Sequence, residues 1–455
     1  MINWDMYIVT KSNNLLTNES VMNMHRFLFI LLMTVSLTAV GQTLHQRSAA
    51  EDIKGNSFLC ASEYLAYDNH PATQPLTPTP AGFEPFYFTH YGRHGSRWLI
   101  DKEQYTKPLY ALQRAHTQGK LTATGETTWQ AVEAIYATTH QRRGDLTTLG
   151  ERQHHGIAKR IIRNFPEIFL TRNLPIDARS TVVNRCILSM IAECEEFAAA
   201  NPSIRFHNDV SESLQYYLNQ PHDGIVKATN ADETARKYAE KLTHPERLMS
   251  ILFNDQQWVK DSLNGGSFMR ALFILASNMQ SHDDGIDLLH LFTPEEQYDQ
   301  WRINNIRWYL SHGPAPQTNG VKPFAQRNLL RNFIATADTT TQVQATMRFG
   351  HESCLMPFAS LLELGPTRYS VENLDTLDRV WRNYNIFPMA SNIQLIFYRP
   401  TGSKVGTTDK SVLVKCLLNE REVSLPAQPV SGPYYRWADL RPYYLEKLRS
   451  FEERY

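Results

Sequence analysis

The sequence predicts an α/β fold: a mixed, largely parallel central sheet flanked by helices, with an inserted, mainly helical domain. Two runs with strand character, residues 86–91 and 344–349, are each followed by a glycine and lead toward a helical stretch, as strands of an α/β sheet do. Between them, residues 201–340 contain many helical stretches and few convincing strands. A chain of 455 residues with 42% hydrophobic content can bury one large core with such an insertion.

Further elements are predicted on both sides of the insertion. Strands are expected at residues 175–178, 393–398 and 412–418, the last followed by a tight turn at Asn419-Glu420. A helix over about 148–164 is predicted to be capped by Thr148, with Glu151 three residues later. Arg179 is predicted to open another helix.

Four parts are expected along the chain. They are an upstream segment with a signal peptide (1–41), a lead-in (42–82), an α/β core (83–200 and 341–455) and the helical insertion (201–340). The end of the lead-in is rich in proline and threonine, which predicts extended chain.

A targeting signal precedes the fold. His25-Arg26 is followed by an apolar stretch, residues 27–40, and by small residues that include Gly41, which is typical of a secretory signal peptide. A membrane anchor is the alternative, but a span needs about 20 apolar residues. We therefore expect an exported protein, periplasmic or secreted, with no transmembrane segment after cleavage.

Charge and cysteine content exclude several classes of protein. Lysine plus arginine equals aspartate plus glutamate at 46 each, so no global field favours nucleic acid or an acidic membrane, and anion binding must be local. Five scattered cysteines do not form a disulfide framework or a metal-binding pattern. One or two disulfides are compatible with this number of cysteines, and at least one thiol must then stay free.

The motif Arg93-His94-Gly95-Ser96-Arg97 carries the main chemical signal. Two guanidiniums match the oxygens of a phosphoryl group in two-point hydrogen bonds, and a histidine nitrogen can attack phosphorus and later leave. The glycine lets the backbone approach a ligand closely. The alternative is a basic turn on a solvated surface.

Three later segments decide between these interpretations. Residues 147–153, 179–185 and 349–357 follow the motif in the order found in the histidine acid phosphatase family, which the chain resembles across most of its length after the signal peptide. The resemblance implies a phosphoglycerate-mutase-like fold. It also implies that His94 is the nucleophile and that Arg93 and Arg97 hold the phosphate, with Arg185 as a third clamp.

The last segment resembles the family's H-D or H-A-E signature. The resemblance assigns His351 to phosphate contact and Glu352 to proton donation. The chain is most similar to the multiple inositol polyphosphate phosphatase group, but that group has its acid two residues after the histidine, where Ser353 stands here. Beside a bound phosphate, the Glu352 carboxyl should keep its proton and pass it to the leaving group.

Other residues near the motifs have less specific roles. Arg179 either contacts substrate phosphate or pins the start of a helix. Arg348 is expected on a polar strand face and His90 in a structural hydrogen bond. His154-His155 lacks the spacing of helical metal ligands, so no metal and no cofactor is expected.

The expected function is phosphomonoester hydrolysis through a phosphohistidine, with inositol polyphosphates such as phytate as the substrates. A broad-specificity acid phosphatase and a non-catalytic phosphate-ester-binding protein are the alternatives. A polyphosphate requires many cations around the site, and the insertion was expected to carry them on Lys227, Arg236, Lys237, Lys241 and Arg270. The expected partners are small phosphate esters, not nucleic acid, and the protein is expected to be a monomer.

Overall fold

A mixed eight-stranded sheet lies at the centre of the computed structural model, which describes residues 47–70, 74–139, 141–219 and 231–455. The strands are β1 (Phe83–Arg93), β2 (Pro175–Ser180), β3 (Arg205–Asp209), β4 (Gln344–Gly350), β5 (Asn392–Pro400), β6 (Leu413–Leu418), β7 (Arg421–Glu422) and β8 (Tyr435–Arg436). Their order is β3-β2-β4-β1-β5-β6-β7, and β8 pairs with β6. The predicted signal peptide lies outside the described residues.

The sheet has a parallel and an antiparallel half. β3, β2, β4 and β1 run parallel, and β5 pairs antiparallel with β1. Every residue of β1 from Pro85 to Arg93 is buried, as expected for a central strand with helices on both faces. The predicted α/β fold with a mixed sheet is confirmed.

The described helices account for most of the remaining chain. They are α1 (Ala49–Gly55), α2 (Lys102–Thr117), α3 (Ala123–Thr139), α4 (Thr148–Asn164), α5 (Pro166–Phe169), α6 (Asn184–Ala200), α7 (Gln215–Leu218), α8 (Ala231–Lys241), α9 (Glu246–Leu252), α10 (Gln256–Ser262), α11 (Gly265–Asn278), α12 (Pro294–His312), α13 (Arg327–Asp338), α14 (Glu352–Leu361) and α15 (Trp437–Arg454). Shorter 3₁₀ segments include Ser57–Tyr64. No described helix is both long and apolar enough to cross a membrane.

Three apolar clusters hold these elements together. α4, α5 and α6 cover one face of the sheet, with Phe88 and Met347 in their cluster. α13, α14 and α15 contribute to the cluster on the other side, with Tyr87 and Phe397. The third cluster is helical and joins α1, α2, α3 and α9 with α11 and the start of α12.

The helical cluster differs from the predicted division of the chain. The lead-in contributes buried Ile53 and Leu65 to it, so residues 48–69 are part of the packed structure. α2 and α3 belong to this cluster although they fall within 83–200. β3 lies within 201–340 but joins the sheet. Local sequence patterns predict each element but not which neighbour covers its apolar face.

Two helix starts also differ from the predictions. Arg179 is still in β2, and the next helix begins at Asn184. The cap of α4 is Thr147, not Thr148, because its side chain accepts from the Gly150 N–H. All five cysteines are buried and have free thiols. The one or two disulfides that the sequence allowed therefore do not form.

Candidate active site

The predicted nucleophile lies at the carboxyl ends of two neighbouring parallel strands. Arg93 at the end of β1 pairs with Gly350 at the end of β4. The N–H of His94 donates to the Gly350 carbonyl at 3.0 Å, and His351 is the N-cap of α14. The two imidazole centroids are 5.7 Å apart. This sheet edge is where α/β proteins bind ligands.

One hydrogen bond sets the orientation of the buried His94 ring. Nδ1 lies 2.9 Å from the carbonyl oxygen of Gly95, and because a carbonyl only accepts, Nδ1 carries the proton of the neutral ring. Nε2 then has the free electron pair, and it lies 3.3 Å from Oε2 of Glu352. Burial lowers the pKa of His94 well below its usual value, although Glu352 opposes this shift. A neutral, oriented imidazole is a competent nucleophile.

Glu352 lies between the arginines of the motif. Its carboxylate is 3.0 Å from Nε of Arg93 and 3.9 Å from Nη2 of Arg97, and the side chain is 15% exposed. Burial alone would raise the pKa of this carboxyl, but the charges of Arg93 and Arg97 lower it well below the usual value. Without a ligand the carboxyl is therefore ionised, and a bound phosphate must take over its arginine contacts before it can hold a proton.

Three guanidiniums surround this point with unused donors. Backbone carbonyls anchor each one: Phe387 accepts from Arg93 at 2.7 Å, Trp98 from Arg97 at 3.0 Å and Gly144 from Arg185 at 3.4 Å. Nη2 of Arg93, Nε of Arg97 and Nε of Arg185 are shielded from solvent and have no hydrogen-bond partner among the described residues. Because unpaired buried donors are unfavourable, these groups indicate a site for an anion.

His351 borders the same space. Its Nε2 lies 3.4 Å from Oγ1 of Thr181, and burial lowers its pKa to about 4, against the opposing charge of Glu352. The structure thus brings together all six residues that the sequence assigned to phosphate chemistry with a definite role. They are Arg93, His94, Arg97, Arg185, His351 and Glu352.

Arg179, Arg348 and His90 have other contacts. Nε of Arg179 lies 3.0 Å from Asp177, and its contact with substrate stays a prediction. Arg348 is buried and lies 2.7 Å from the same carboxylate on β2, so it packs among polar groups on the strand face and not in the site. The structural hydrogen bond predicted for His90 is wrong, because neither ring nitrogen has a partner in the described part of the chain.

Polar side chains that the sequence did not single out hold the motif loop. The N–H of Ser96 donates to Gln153 at 2.9 Å, and the N–H of Gly95 donates to Oγ of Ser189 at 3.1 Å. The hydroxyl of Thr147 donates to the Ser96 carbonyl at 3.1 Å. The one available signal was that Gln153 follows Gly150 by three residues, on the same side of α4.

A close contact between two glycines fixes the distance from the loop to α4. A Cβ on Gly150 would lie 2.3 Å from the Ser96 carbonyl oxygen, and one on Gly95 would lie 2.4 Å from that of Gly150. We expect Gly150→Ala to lower the free energy of unfolding by about 1–3 kcal/mol. Gly156→Ala is the matched control, since its Cβ meets only a flexible Arg160 nitrogen at 3.2 Å.

Urea unfolding followed by circular dichroism measures both substitutions. The control should stabilise the protein by up to about 1 kcal/mol, because alanine is the better helix former. Equal effects at the two positions would contradict the close contact as the cause.

The N-terminal 3₁₀ segment adds residues that the sequence placed in the lead-in. The ring of buried Tyr64 lies 5.5 Å from Cζ of Arg97, within cation–π range. Glu63 accepts from Nδ2 of Asn304 at 2.6 Å. Ser62, the residue before Glu63, has a φ of 57°, so the backbone turns sharply just before these two side chains. No motif in the sequence indicated it.

The cations expected from the insertion are used elsewhere. Arg236 pairs with Glu240, Lys237 with Glu233 and Lys241 with Asp375, and Arg270 donates to Thr243. Lys227 lies outside the described residues. None of the four described side chains forms a hydrogen bond or ion pair with the six residues of the site.

The same pocket has the donor set of a metal site. One nitrogen or oxygen each of His94, His351 and Glu352 lies within 4.8 Å of the others. Arg93 and Arg97 are next to these atoms, and their charges oppose a cation and favour an anion. The absence of a catalytic metal stays a prediction.

Buried histidines predict a loss of stability in acid. Burial lowers the pKa of His90, His282 and His351 to about 4 and that of His312 to about 3. In this range the unfolded chain binds more protons than the folded one, so the stability present above pH 6.5 falls as the pH drops toward 4. We expect a decrease of at least about 3 kcal/mol between pH 7 and pH 4. Urea unfolding at both values checks this, and constant stability would contradict it.

Comparison with known proteins supports the fold. No family model and no curated protein matches the sequence. Solved structures do match: the Bifidobacterium longum multiple inositol polyphosphate phosphatase in complex with inositol hexasulfate superposes with a TM-score of 0.67 at 18% identity, covering 84% of this chain and 96% of that one. The phytase from D. castellii superposes with a TM-score of 0.64 at 14% identity, covering 86% of this chain and 85% of that one. The Citrobacter braakii phytase superposes with a TM-score of 0.52 at 10% identity, covering 81% of this chain and 98% of that one. The chain therefore has the fold of these inositol phosphatase and phytase structures.

Proposed function

We propose that the protein hydrolyses phosphomonoesters through a phosphohistidine at Nε2 of His94, and that inositol polyphosphates such as phytate are its substrates. The observation that carries this proposal is the unprotonated Nε2 of a buried histidine among three guanidiniums with unused donors. The oxygens of a phosphoryl group supply the hydrogen-bond acceptors that those donors lack, and the group places an electrophilic phosphorus beside the nucleophile.

In the first step, the Nε2 electron pair of His94 forms a bond to phosphorus while the bond from phosphorus to the ester oxygen breaks. Glu352 donates its proton to the departing alkoxide. The clamps Arg93, Arg97 and Arg185 stabilise the charge on the equatorial oxygens, which is the largest contribution expected for this chemistry. A dianionic phosphate displaces the carboxylate from the arginines, which raises the pKa of Glu352, and the carboxylate takes up a proton from solvent as the substrate binds.

In the second step, water attacks phosphorus and the N–P bond breaks. Glu352, now ionised, takes the proton of the water, and the electron pair of the broken bond returns to Nε2. Inorganic phosphate leaves, and Glu352 returns its proton to solvent when the arginines contact its carboxylate again, so both side chains are back in their starting state. His351 donates no proton in this scheme and contacts the phosphate oxygens.

Structural similarity supports the substrate class. The B. longum protein is named a multiple inositol polyphosphate phosphatase, and it has been solved with inositol hexasulfate and with phosphate. The D. castellii and C. braakii proteins are named phytases. A second candidate, a broad-specificity acid phosphatase, is favoured because the described cations of the insertion have their partners outside the site.

Phosphate release from phytate and from phenyl phosphate, between pH 4 and pH 7.5 and with EDTA present, tests the proposal. We expect release from both substrates, with the higher kcat/KM for phytate. Release from phenyl phosphate alone would favour the broad phosphatase, and binding without release would indicate a non-catalytic protein. A phosphoenzyme quenched in base should be labile to acid, and its absence during turnover would contradict the phosphohistidine.

We also propose that the protein is exported and monomeric. Export is supported by the basic residues, apolar stretch and small residues between His25 and Gly41. N-terminal sequencing of the mature protein should find a start after this stretch, and sedimentation should give one chain per particle. An intact N-terminus or a dimer would contradict these two points.

A further inference from the structure

A basic turn at residues 141–145 borders the phosphate clamps. Its Gly144 carbonyl accepts from Nη1 of Arg185 at 3.4 Å. The N–H of Trp98, the residue after Arg97, donates to the Asp145 carbonyl at 3.0 Å. The turn is therefore fixed by hydrogen bonds to the side chain of Arg185 and to the residue that follows Arg97.

Two further arginines project from this turn. Arg142 is 53% exposed, and its Cζ lies 5.8 Å from the ring of Trp98, which also stacks on His282 with centroids 3.9 Å apart. Arg143 is exposed and has no ion pair within the described part of the chain. Neither residue has a role in holding the phosphate that reacts.

Opposing charge at the turn is weak. Asp145 lies 3.0 Å from Nε of Arg142, but its side chain is 47% exposed. An exposed pair of this kind contributes little, so a phosphate group with up to two charges can compete for the guanidinium. Arg143 stays unpaired in the same turn, which leaves the turn with a net positive charge.

We propose that Arg142 and Arg143 form a second anion subsite, which binds a neighbouring phosphate group of a polyphosphate substrate while Arg93, Arg97 and Arg185 hold the reacting one. The inference rests on the proposed function and deepens it, since it names the residues that distinguish a polyphosphate from a simple monoester. The subsite replaces the cations that were expected from the insertion. It lies on the turn that precedes α4.

The double variant Arg142→Gln/Arg143→Gln tests the subsite. The ratio of kcat/KM for phytate to kcat/KM for phenyl phosphate should fall about fivefold to tenfold, and the effect should shrink in high salt. Arg143→Gln alone should give part of the decrease, and it removes no contact within the described protein. Arg172→Gln, an exposed arginine beyond the opposite end of β2, is the control and should keep the ratio.

An unchanged ratio in a folded double variant, or an equal decrease with Arg172→Gln, would overturn the inference. A binding measurement separates this result from failure of the proposed function. Calorimetry with inositol hexakisphosphate, on His94→Ala protein with and without the two arginine substitutions, needs no turnover. A Kd that rises severalfold supports the subsite even if the wild-type protein releases no phosphate from phytate, and equal Kd values contradict it.

Discussion

His94→Ala is expected to lower kcat on phenyl phosphate by about 10⁴-fold or more, because the substitution removes the nitrogen that attacks phosphorus. The variant should fold, since the ring's Nδ1 bonds only to the adjacent Gly95 carbonyl. Circular dichroism and thermal unfolding check the fold, and phosphate release measures the turnover.

His207→Ala is a suitable control for this experiment. His207 is a 72% exposed histidine of β3 that pairs with Asp177, away from the motif loop. It should keep most of the wild-type rate. A His94→Ala protein with most of its activity would refute the proposed chemistry, and a variant that also lost binding of inorganic phosphate would instead indicate collapse of the site.

Glu352→Gln is expected to lower kcat by about 10²- to 10⁴-fold on an alkyl phosphate such as phytate, because the leaving alkoxide needs a proton. The decrease in kcat/KM, which reports the first step, should be much smaller with p-nitrophenyl phosphate, whose leaving group needs no proton. Ser353→Ala is the matched control, since Ser353 stands where the H-A-E signature has its acid. A larger effect at Ser353 than at Glu352 would contradict the assignment.

The pH dependence of kcat/KM gives a second test of Glu352 as the proton donor. In the free protein the pKa of Glu352 is lowered by Arg93 and Arg97 against the effect of burial. At neutral pH the carboxyl is mostly ionised, so kcat/KM of the wild-type protein should rise as the pH falls toward that pKa. Glu352→Gln cannot gain or lose this proton and should show a flatter acidic limb. An equal rise in both proteins would point to another group.

The sequence predicts the strands that carry the chemistry because each is a short buried run with a glycine near its end. β1 and β4 place His94 and His351 at one sheet edge, and this follows from local patterns together with the rules for parallel strands. The contact between Glu352 and both motif arginines also follows once α14 begins directly after His351.

Long-range packing limits what the sequence alone can predict. The helical cluster unites segments from before β1, from between β1 and β2, and from after β3, and no single segment encodes that association. Thr147 competes with Thr148 for the cap of α4, and the additional hydrogen bond to Ser96 favours Thr147. The glycine at position 95 is also required by long-range packing, because a side chain there would clash with Gly150 of α4.

The 3₁₀ segment Ser57–Tyr64 has a practical consequence for producing the protein. Tyr64 packs over Arg97, so the segment before β1 shields one phosphate clamp. A truncated protein that starts at Ala66 would keep β1, the nucleophile and the arginines, yet its clamp would face water. Expression boundaries and affinity tags therefore belong ahead of Ser48, and we expect proteolytic cleavage near Ser62 to lower the proposed activity while leaving the sheet intact.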